Sequence, residues 1–358
     1  MLKDSFCFVG IGQGGCKLTK LFHSEKYRSF FINTSYDDLS QLKVSDDLIY
    51  HVPASKGCAK VREVALEYGR NYYGQMTGKL IDTHPTVKVY VVQYTLGGGT
   101  GGGLANLFMA TLRNKLTELN KKDVIIIAVC AKPRSFESYQ LQSNAMKSLN
   151  ELYTLVKGGV VNQYYIIDND SRDTLNDINE EHCVLFDRWI EGEGANNDSN
   201  TDESERMDLF KYNGSAMMFE FDSSSKDDFK ERCEKAYRES IYCHPLKKVQ
   251  GIGVALHEKI LEKDALPLIS EVVGHFPNTH ITPTKVSNMI MVAGSDENKS
   301  IKNSIVKLAN VQADLINKET NDLEEEEITI TSVNIGKTND NKTEETMASI
   351  DDILNYFK

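Results

Sequence analysis

Seven consecutive residues, Gly97 Gly98 Gly99 Thr100 Gly101 Gly102 Gly103, carry the strongest chemical signal in this chain. A glycine held in one conformation costs roughly 0.5–1 kcal/mol relative to alanine, so six of them call for a compensating interaction. Without Cβ atoms in the way, a row of backbone N–H groups can wrap an anion, and a helix that follows adds its positive amino-terminal end. Charge-assisted hydrogen bonds of roughly 1.5–3 kcal/mol each offset the glycines once a phosphate chain is bound. Thr100 adds a hydroxyl donor. The run is clamped between a strand-like segment, residues 87–95, and a helix-like segment, residues 104–116, whose Leu104, Leu107, Phe108, Thr111 and Leu112 share one face. Flexible linkers are not held between apolar elements, so a strand, a phosphate-binding glycine loop and a helix are expected.

A second glycine cluster follows the first apolar strand, residues 5–9. Gly10, Gly12 and Gly15 satisfy GxGxxG and lead into a helix through Leu18, Leu21 and Phe22. In nicotinamide-binding folds the second strand ends in a carboxylate that holds the ribose, whereas residues 28–32 run into Asn33 and Thr34. An amide there suits a base or sugar contact. Neither Gly15 Cys16 Lys17 nor residues 74–79 complete a GxxxxGK[ST] loop. A flavin- or nicotinamide-dependent oxidoreductase using residues 10–15 remains the alternative from another class, and cofactor absorbance would reveal it.

The elements that must position these glycines alternate regularly. Residues 48–52 read as a third strand. A loop over residues 55–59 leads to a helix carrying Val61, Val64, Ala65 and Tyr68, with Lys56 and Lys60 facing either phosphate or solvent. Residues 124–131 form an apolar run of the kind buried in a parallel sheet. Lys132 to Glu137 then enter a helix with Ala145, Leu149 and Leu152, and residues 163–167 make a sixth strand ending at Asp168 Asn169 Asp170. Six strands with helices between them imply a doubly wound, mostly parallel α/β sheet with ligands at the carboxyl edge. A long helix over residues 171–192 follows, then a polar stretch, residues 194–205, that composition alone assigns to a solvent loop. Strands at 216–221, 249–256 and 285–292, with helices at 226–240, 259–273 and 298–317, suggest a smaller mixed α/β domain.

The acidic balance, 52 Asp plus Glu against 41 Lys plus Arg for a net charge of -11, argues against direct binding to DNA or anionic membrane. The 7 cysteines are odd in number, scattered and without CxxC spacing, which fits reduced thiols in a cytoplasm. No apolar run approaches the ~18 residues of a membrane span, and the histidines form no metal-ligand spacing.

These residues resemble the tubulin and FtsZ superfamily of assembling GTPases. The glycine run is close to that family's GGGTG motif, Gly12 Gln13 Gly14 is similar to its first phosphate loop, and Phe31 Ile32 Asn33 Thr34 to the loop after its second strand. Lys132 Pro133 with Phe136 Glu137 resembles the sugar-contacting loop. The resemblance extends over roughly residues 5 to 300.

It implies GTP and GDP contacts at Gly12, Gln13, Gly14, Cys16, Asn33, Gly97, Gly98, Gly99, Thr100, Gly101, Gly102 and Glu137. Asn169 would contact the guanine, and Asp187 on the long helix would pack on the base. Asn200, Asp202 and Glu205 match the NxDxx[DE] pattern of a loop that completes the next subunit's site, where the two carboxylates orient or deprotonate the attacking water. The resemblance further implies Mg2+ on the phosphates without protein metal ligands, and head-to-tail filaments.

Three departures stand out. Leu141 occupies the position of an arginine in the division proteins, the loop at 55–59 lacks a glycine pair, and the tail lacks the division proteins' proline and terminal basic residues. They point to the superfamily's branch that partitions plasmid and phage DNA, in its clostridial phage form, which works through a DNA-binding adaptor. A division or phage-positioning filament is the alternative within the family; a non-hydrolysing structural subunit is disfavoured by Asp202 and Glu205. The expected organisation is a GTP-binding domain over residues 1–170, a central helix over 171–193, an activation domain over 194–318 and a disordered tail over 319–358. Ile350, Ile353, Leu354 and Phe357 in that tail make either a partner-docking helix or a frayed end.

Overall fold

The computed structural model describes residues 2–192, 203–243, 248–296 and 299–324. Asn200 and Asp202, the tail over 325–358 and the side chain of Glu205 lie outside the described residues. The first strands, β1 (Phe6–Ile11), β2 (Arg28–Asn33) and β3 (Ile49–His51), alternate with helices α1 (Gly12–Ser24) and α2 (Tyr36–Ser40). Helices α3 (Arg62–Gly69) and α4 (Tyr73–Thr83) precede β4 (Val89–Thr95), and α5 (Gly99–Glu118), β5 (Ile125–Lys132), α6 (Tyr139–Lys157) and β6 (Gln163–Asp168) follow. Then come α7 (Leu175–Glu191), α8 (Glu203–Asp208), β7 (Gly214–Phe221), α9 (Lys226–Arg238), β8 (Gly251–His257) and α10 (Glu262–Val273). The described chain finishes with β9 (Asn278–Thr284), β10 (Asn288–Ser295) and α11 (Lys299–Glu324).

All strands join one 10-stranded sheet in the order β3-β2-β1-β4-β5-β6-β7-β10-β8-β9. Pairing is parallel from β3 to β7, antiparallel on both sides of β10, and parallel again between β8 and β9. The order reverses between β1 and β4, which is where an open α/β sheet leaves a crevice at its carboxyl edge. Alternate side chains of the parallel strands serve two cores. Phe6, Phe8, Ile127 and Val129 pack with Phe22 of α1 and Ile178 and Phe186 of α7, in a core that continues to Met217, Ile252 and Met291. Cys7, Val9, Ile126 and Ala128 face Leu104 and Phe108 of α5 and Leu149 and Leu152 of α6. Burial on both faces explains why these strands read as unbroken apolar runs.

The structure corrects one expectation and adds two elements. Gly99 to Gly103 are not a loop: they form the first turns of α5, and only Leu96, Gly97 and Gly98 separate it from β4. Tertiary packing overrides glycine's poor helix propensity here. Helix α4 went unrecognised because Gly74 and Gly78 interrupt it. Strand β9 was missed because Pro283 sits in it; proline is tolerated there because β9 is an edge strand.

Candidate functional site

The two glycine segments end adjacent strands, so the sheet brings them together at its point of reversal. Gly12 opens α1 directly after β1, and Gly99 opens α5 three residues after β4. Neither helix has a side-chain cap: Ile11 and Gly98 at the N-cap positions make no such hydrogen bond. Two sets of amino-terminal N–H groups and two positive helix ends therefore converge on one place, a ready anion site. It is the floor of a cleft of about 490 Å³.

Of the residues expected to meet the nucleotide, Gly12, Gln13, Gly14, Asn33, Gly97, Gly98, Gly99, Thr100, Gly101, Glu137 and Asn169 line this cleft. Three others do not. Cys16 turns inward, donating to the Gly10 and Ile32 carbonyls at 3.4 and 3.6 Å, and burial pushes its thiol far above the ordinary range. The Gly102 N–H is used within α5, to the Gly98 carbonyl at 2.9 Å. Asp187 accepts from Lys3 Nζ at 3.1 Å and from the Tyr27 hydroxyl at 2.8 Å. It lies 12 residues beyond Leu175 along α7, roughly 18 Å at 1.5 Å per residue. The α7 residue on the cleft wall is Leu175, about half exposed, which sequence reasoning did not select.

The glycines of α5 also have a packing reason that the sequence concealed. A Cβ on Gly103 would stand 2.8 Å from the Arg62 carbonyl and 2.9 Å from Ala65 Cβ, so α3 lies directly against the helix backbone. Arg62 then holds the turn: its Nε donates to the Gly102 carbonyl at 2.9 Å while its guanidinium pairs with Glu151 of α6. Burial raises the Glu151 carboxyl above its usual range and Arg62 opposes the shift; Asn106 donates to the same carboxylate at 3.0 Å. Asn144 of α6, fully buried, donates to the Gly97 carbonyl at 3.0 Å and the Lys60 carbonyl at 2.8 Å, tying the turn after β4 to the loop before α3. Leu141 closes on Gly97, its carbonyl 2.8 Å from where a Cβ would stand.

The other walls are built by side chains that organise loops. Asn33 accepts from the Thr34 and Ser35 N–H groups at 2.8 and 3.3 Å and donates to Asp38 at 3.2 Å, so it shapes the turn after β2. Glu137 accepts the Arg134 N–H at 2.7 Å. Thr100 Oγ1 lies 2.7 Å from Thr34 Oγ1 and 3.1 Å from Cys58 Sγ. Lys60 reaches the cleft; Lys56 does not line it. Among the described residues no group of three or more His, Cys, Asp or Glu side chains forms a metal cage.

A crevice at the reversal of a doubly wound sheet, floored by two glycine-opened helix ends, defines a nucleotide-binding α/β domain. Residues 5–177 match the Tubulin/FtsZ family, GTPase domain. It is 26% identical over 302 residues, 84% of this chain and 81% of the relative, to the tubulin-like protein TubZ of Clostridium botulinum C phage. Among solved structures, its fold matches the C-terminal tail truncated TubZ of Clostridium botulinum phage c-st with a TM-score of 0.79, at 24% identity over 88% of this chain and 100% of that one. A GTPγS-form protofilament of Bacillus thuringiensis serovar israelensis TubZ matches with a TM-score of 0.74, at 12% identity over 90% and 94% of the two chains.

Proposed function

We propose that this chain assembles head to tail into GTP-hydrolysing filaments that move plasmid or phage DNA. The observation that carries the reading is that the cleft's own carboxylates are committed to structural contacts. The carboxylates lining the cleft, Asp38 and Glu137, are engaged with Asn33 and with the Arg134 N–H. The acidic segment with Asn200, Asp202 and Glu205 follows Gly192 in the sequence, and Gly192 caps a helix of 17 residues whose other end, at Leu175, lines the cleft, about 25 Å away at 1.5 Å per residue. In this reading Asp202 and Glu205 act on the cleft of the next subunit. Such a contact is heterologous and does not close, so repetition makes a filament.

In this mechanism the N–H groups opening α1 and α5, with Thr100, hold the phosphates and stabilise charge growing on the terminal one. Asn169 faces the guanine. Asp202 and Glu205 of the adjoining subunit orient and deprotonate water. Gln13, exposed on the cleft wall, would hold Mg2+ through water beside bound phosphates. When bound, the ion neutralises phosphate charge.

The net charge of -11 favours a DNA-binding adaptor over direct DNA contact. No helix among the described residues is long and apolar enough to cross a membrane, and a bacterial cytoplasm is the proposed location.

Phosphate release from GTP, measured over a series of protein concentrations with light scattering in the same cuvette, tests the proposal. Release per subunit is expected to rise steeply above a critical concentration, together with scattering. A flat rate per subunit without scattering would leave a monomeric enzyme and end the filament reading. Asp202→Ala is expected to bind GTP and assemble, yet release phosphate at least about tenfold more slowly, as loss of a positioned base implies.

A further inference from the structure

The turn after β6 divides two cavities. Asn169 lines the nucleotide cleft, whereas its neighbours Asp168 and Asp170 line a second cavity of about 520 Å³ behind it, together with Lys132. Lys132 and Asp168 end β5 and β6 and sit opposite each other in the register of those strands. Lys132 Nζ lies 2.7 Å from Asp168 Oδ1 and 2.9 Å from Asp170 Oδ2, so one mostly buried ammonium holds the carboxylates on both sides of Asn169. The Asp170 carboxylate also accepts the Ser135 N–H with both oxygens, at 3.1 Å each, and the Ser135 hydroxyl at 3.4 Å. Ser135 belongs to the loop after β5, whose Pro133 and Glu137 form another part of the cleft wall. Burial opposes both charges, yet the two carboxylates raise the Lys132 ammonium above its usual value, and Lys132 with Ser135 holds the Asp170 carboxyl below the usual carboxylate range.

Asp170 thus joins the loop after β5 to the turn after β6 without lining the cleft itself. Its contacts fix two things at once, the direction of Asn169 and the distance from Asn169 to Glu137. Arg134 adds a second tie between the same loops, donating from Nη2 to the Asp173 carbonyl at 2.8 Å. A group that touches a ligand holds its geometry only when the groups behind it are locked in this way. We propose that Asp170 is a positioning residue for the nucleoside end of the ligand: with Lys132 it staples the two loops at the spacing a guanosine needs between Asn169 and Glu137. This rests on the GTP reading above. The helix ends of α1 and α5, which floor the cleft, take no part in the staple. Its loss therefore weakens every guanosine nucleotide equally, whatever the number of phosphates, and leaves the chemistry of bound GTP intact.

Affinities for fluorescent GTP and GDP analogues, measured on the full chain below the assembly concentration, and turnover at saturating GTP above it, test the staple. Asp170→Ala is expected to lower affinity for both nucleotides by about tenfold, the loss of one well-placed hydrogen bond. The GTP to GDP ratio should stay unchanged and turnover at saturation within about twofold of the parent, as loss of uniform binding implies. Lys132→Met leaves Asp168 and Asp170 side by side without their cation and is expected to act in the same direction. Asp170→Asn keeps an acceptor for the Ser135 N–H and is expected to lose only about threefold. A change that merely loosened the fold would lower the melting temperature without this graded loss. Unchanged affinity in Asp170→Ala and Lys132→Met, a loss confined to GTP, or lost turnover at unchanged affinity would overturn the staple while leaving GTP binding intact. If the unaltered protein binds neither guanine nucleotide, the GTP reading itself fails and the staple falls with it.

Discussion

Gly12→Ala is expected to lower affinity for GTP by about a hundredfold while the chain stays folded. Gly12 is the first residue of α1 and has φ of 74°, a conformation that places the Cβ of an L-residue against the following carbonyl. That strain is worth roughly 1–2 kcal/mol. A Cβ there would also stand 2.8 Å from Gly101 N, which belongs to the other glycine helix end and is backbone that cannot swing aside. The two helix ends must part, and N–H groups aimed jointly at a phosphate chain then miss it. Losing two charge-assisted bonds of roughly 1.5 kcal/mol each gives about the hundredfold. Gly74→Ala is the control: Gly74 lies in α4, has no neighbour within 4 Å of a built Cβ and no positive φ. It is expected to bind GTP normally and to gain up to about 1 kcal/mol of stability. Nucleotide titration and thermal melting of both variants decide the matter. Normal GTP binding by Gly12→Ala would mean that the two helix ends do not hold phosphate together.

The elements that built this cleft were legible where one physical cause dominated. Strand β5 is buried along nearly its whole length and so reads as an unbroken apolar run, and the glycine segments that follow β1 and β4 stood out by composition. Where two causes compete, local reading went astray. The glycines at 99–103 looked like a loop because glycine disfavours helix, yet they are helical, with the loop before α3 against Gly99, the ends of β1 and β4 against Gly101, Leu96 against Gly102 and α3 against Gly103. The family resemblance implied that Asp187 packs on the base, but the helix start, fixed by Thr174 accepting the Asp177 N–H at 3.2 Å, leaves it far from the cleft and committed to Lys3 and Tyr27. Asn144, Arg62 and the Thr34, Cys58 and Thr100 corner were beyond local reading altogether. Each joins segments far apart in the chain, and a lone buried Asn, Arg or Cys carries no periodic signal.

Lowering the pH from 6.5 to 5 is expected to cost about 2 kcal/mol of folding stability through His182 alone. This residue of α7 is fully buried. Its Nδ1 is 2.6 Å from the Tyr242 hydroxyl, and its Nε2 is 3.2 Å from Gln93 Nε2. Because Gln93 Oε1 accepts the Thr19 hydroxyl at 2.6 Å, the Gln93 amide presents its N–H to His182, whose Nε2 must accept. Nδ1 therefore carries the proton and donates to Tyr242, and the rings of Phe22 and Phe186 pack alongside. A second proton would set two donors face to face in an apolar site, and burial lowers the imidazole to about 3. The folded value lies below the unfolded one of about 6.5, so the contribution is fully present above pH 6.5 and is lost as pH falls toward 3. The slope is about 1.4 kcal/mol per pH unit. His84, also lowered by burial, adds in the same direction. Urea denaturation of the parent and of His182→Phe at pH 7 and pH 5 isolates the effect: the variant starts less stable but should lose about 2 kcal/mol less over that interval. Equal losses would remove His182 as the titrating group. The chain of contacts from Thr19 through Gln93 to His182 joins the helix opened by Gly12 to α7 by way of the strand that leads to Gly97. GTP affinity in the parent should therefore weaken over the same acid interval, before the chain as a whole unfolds.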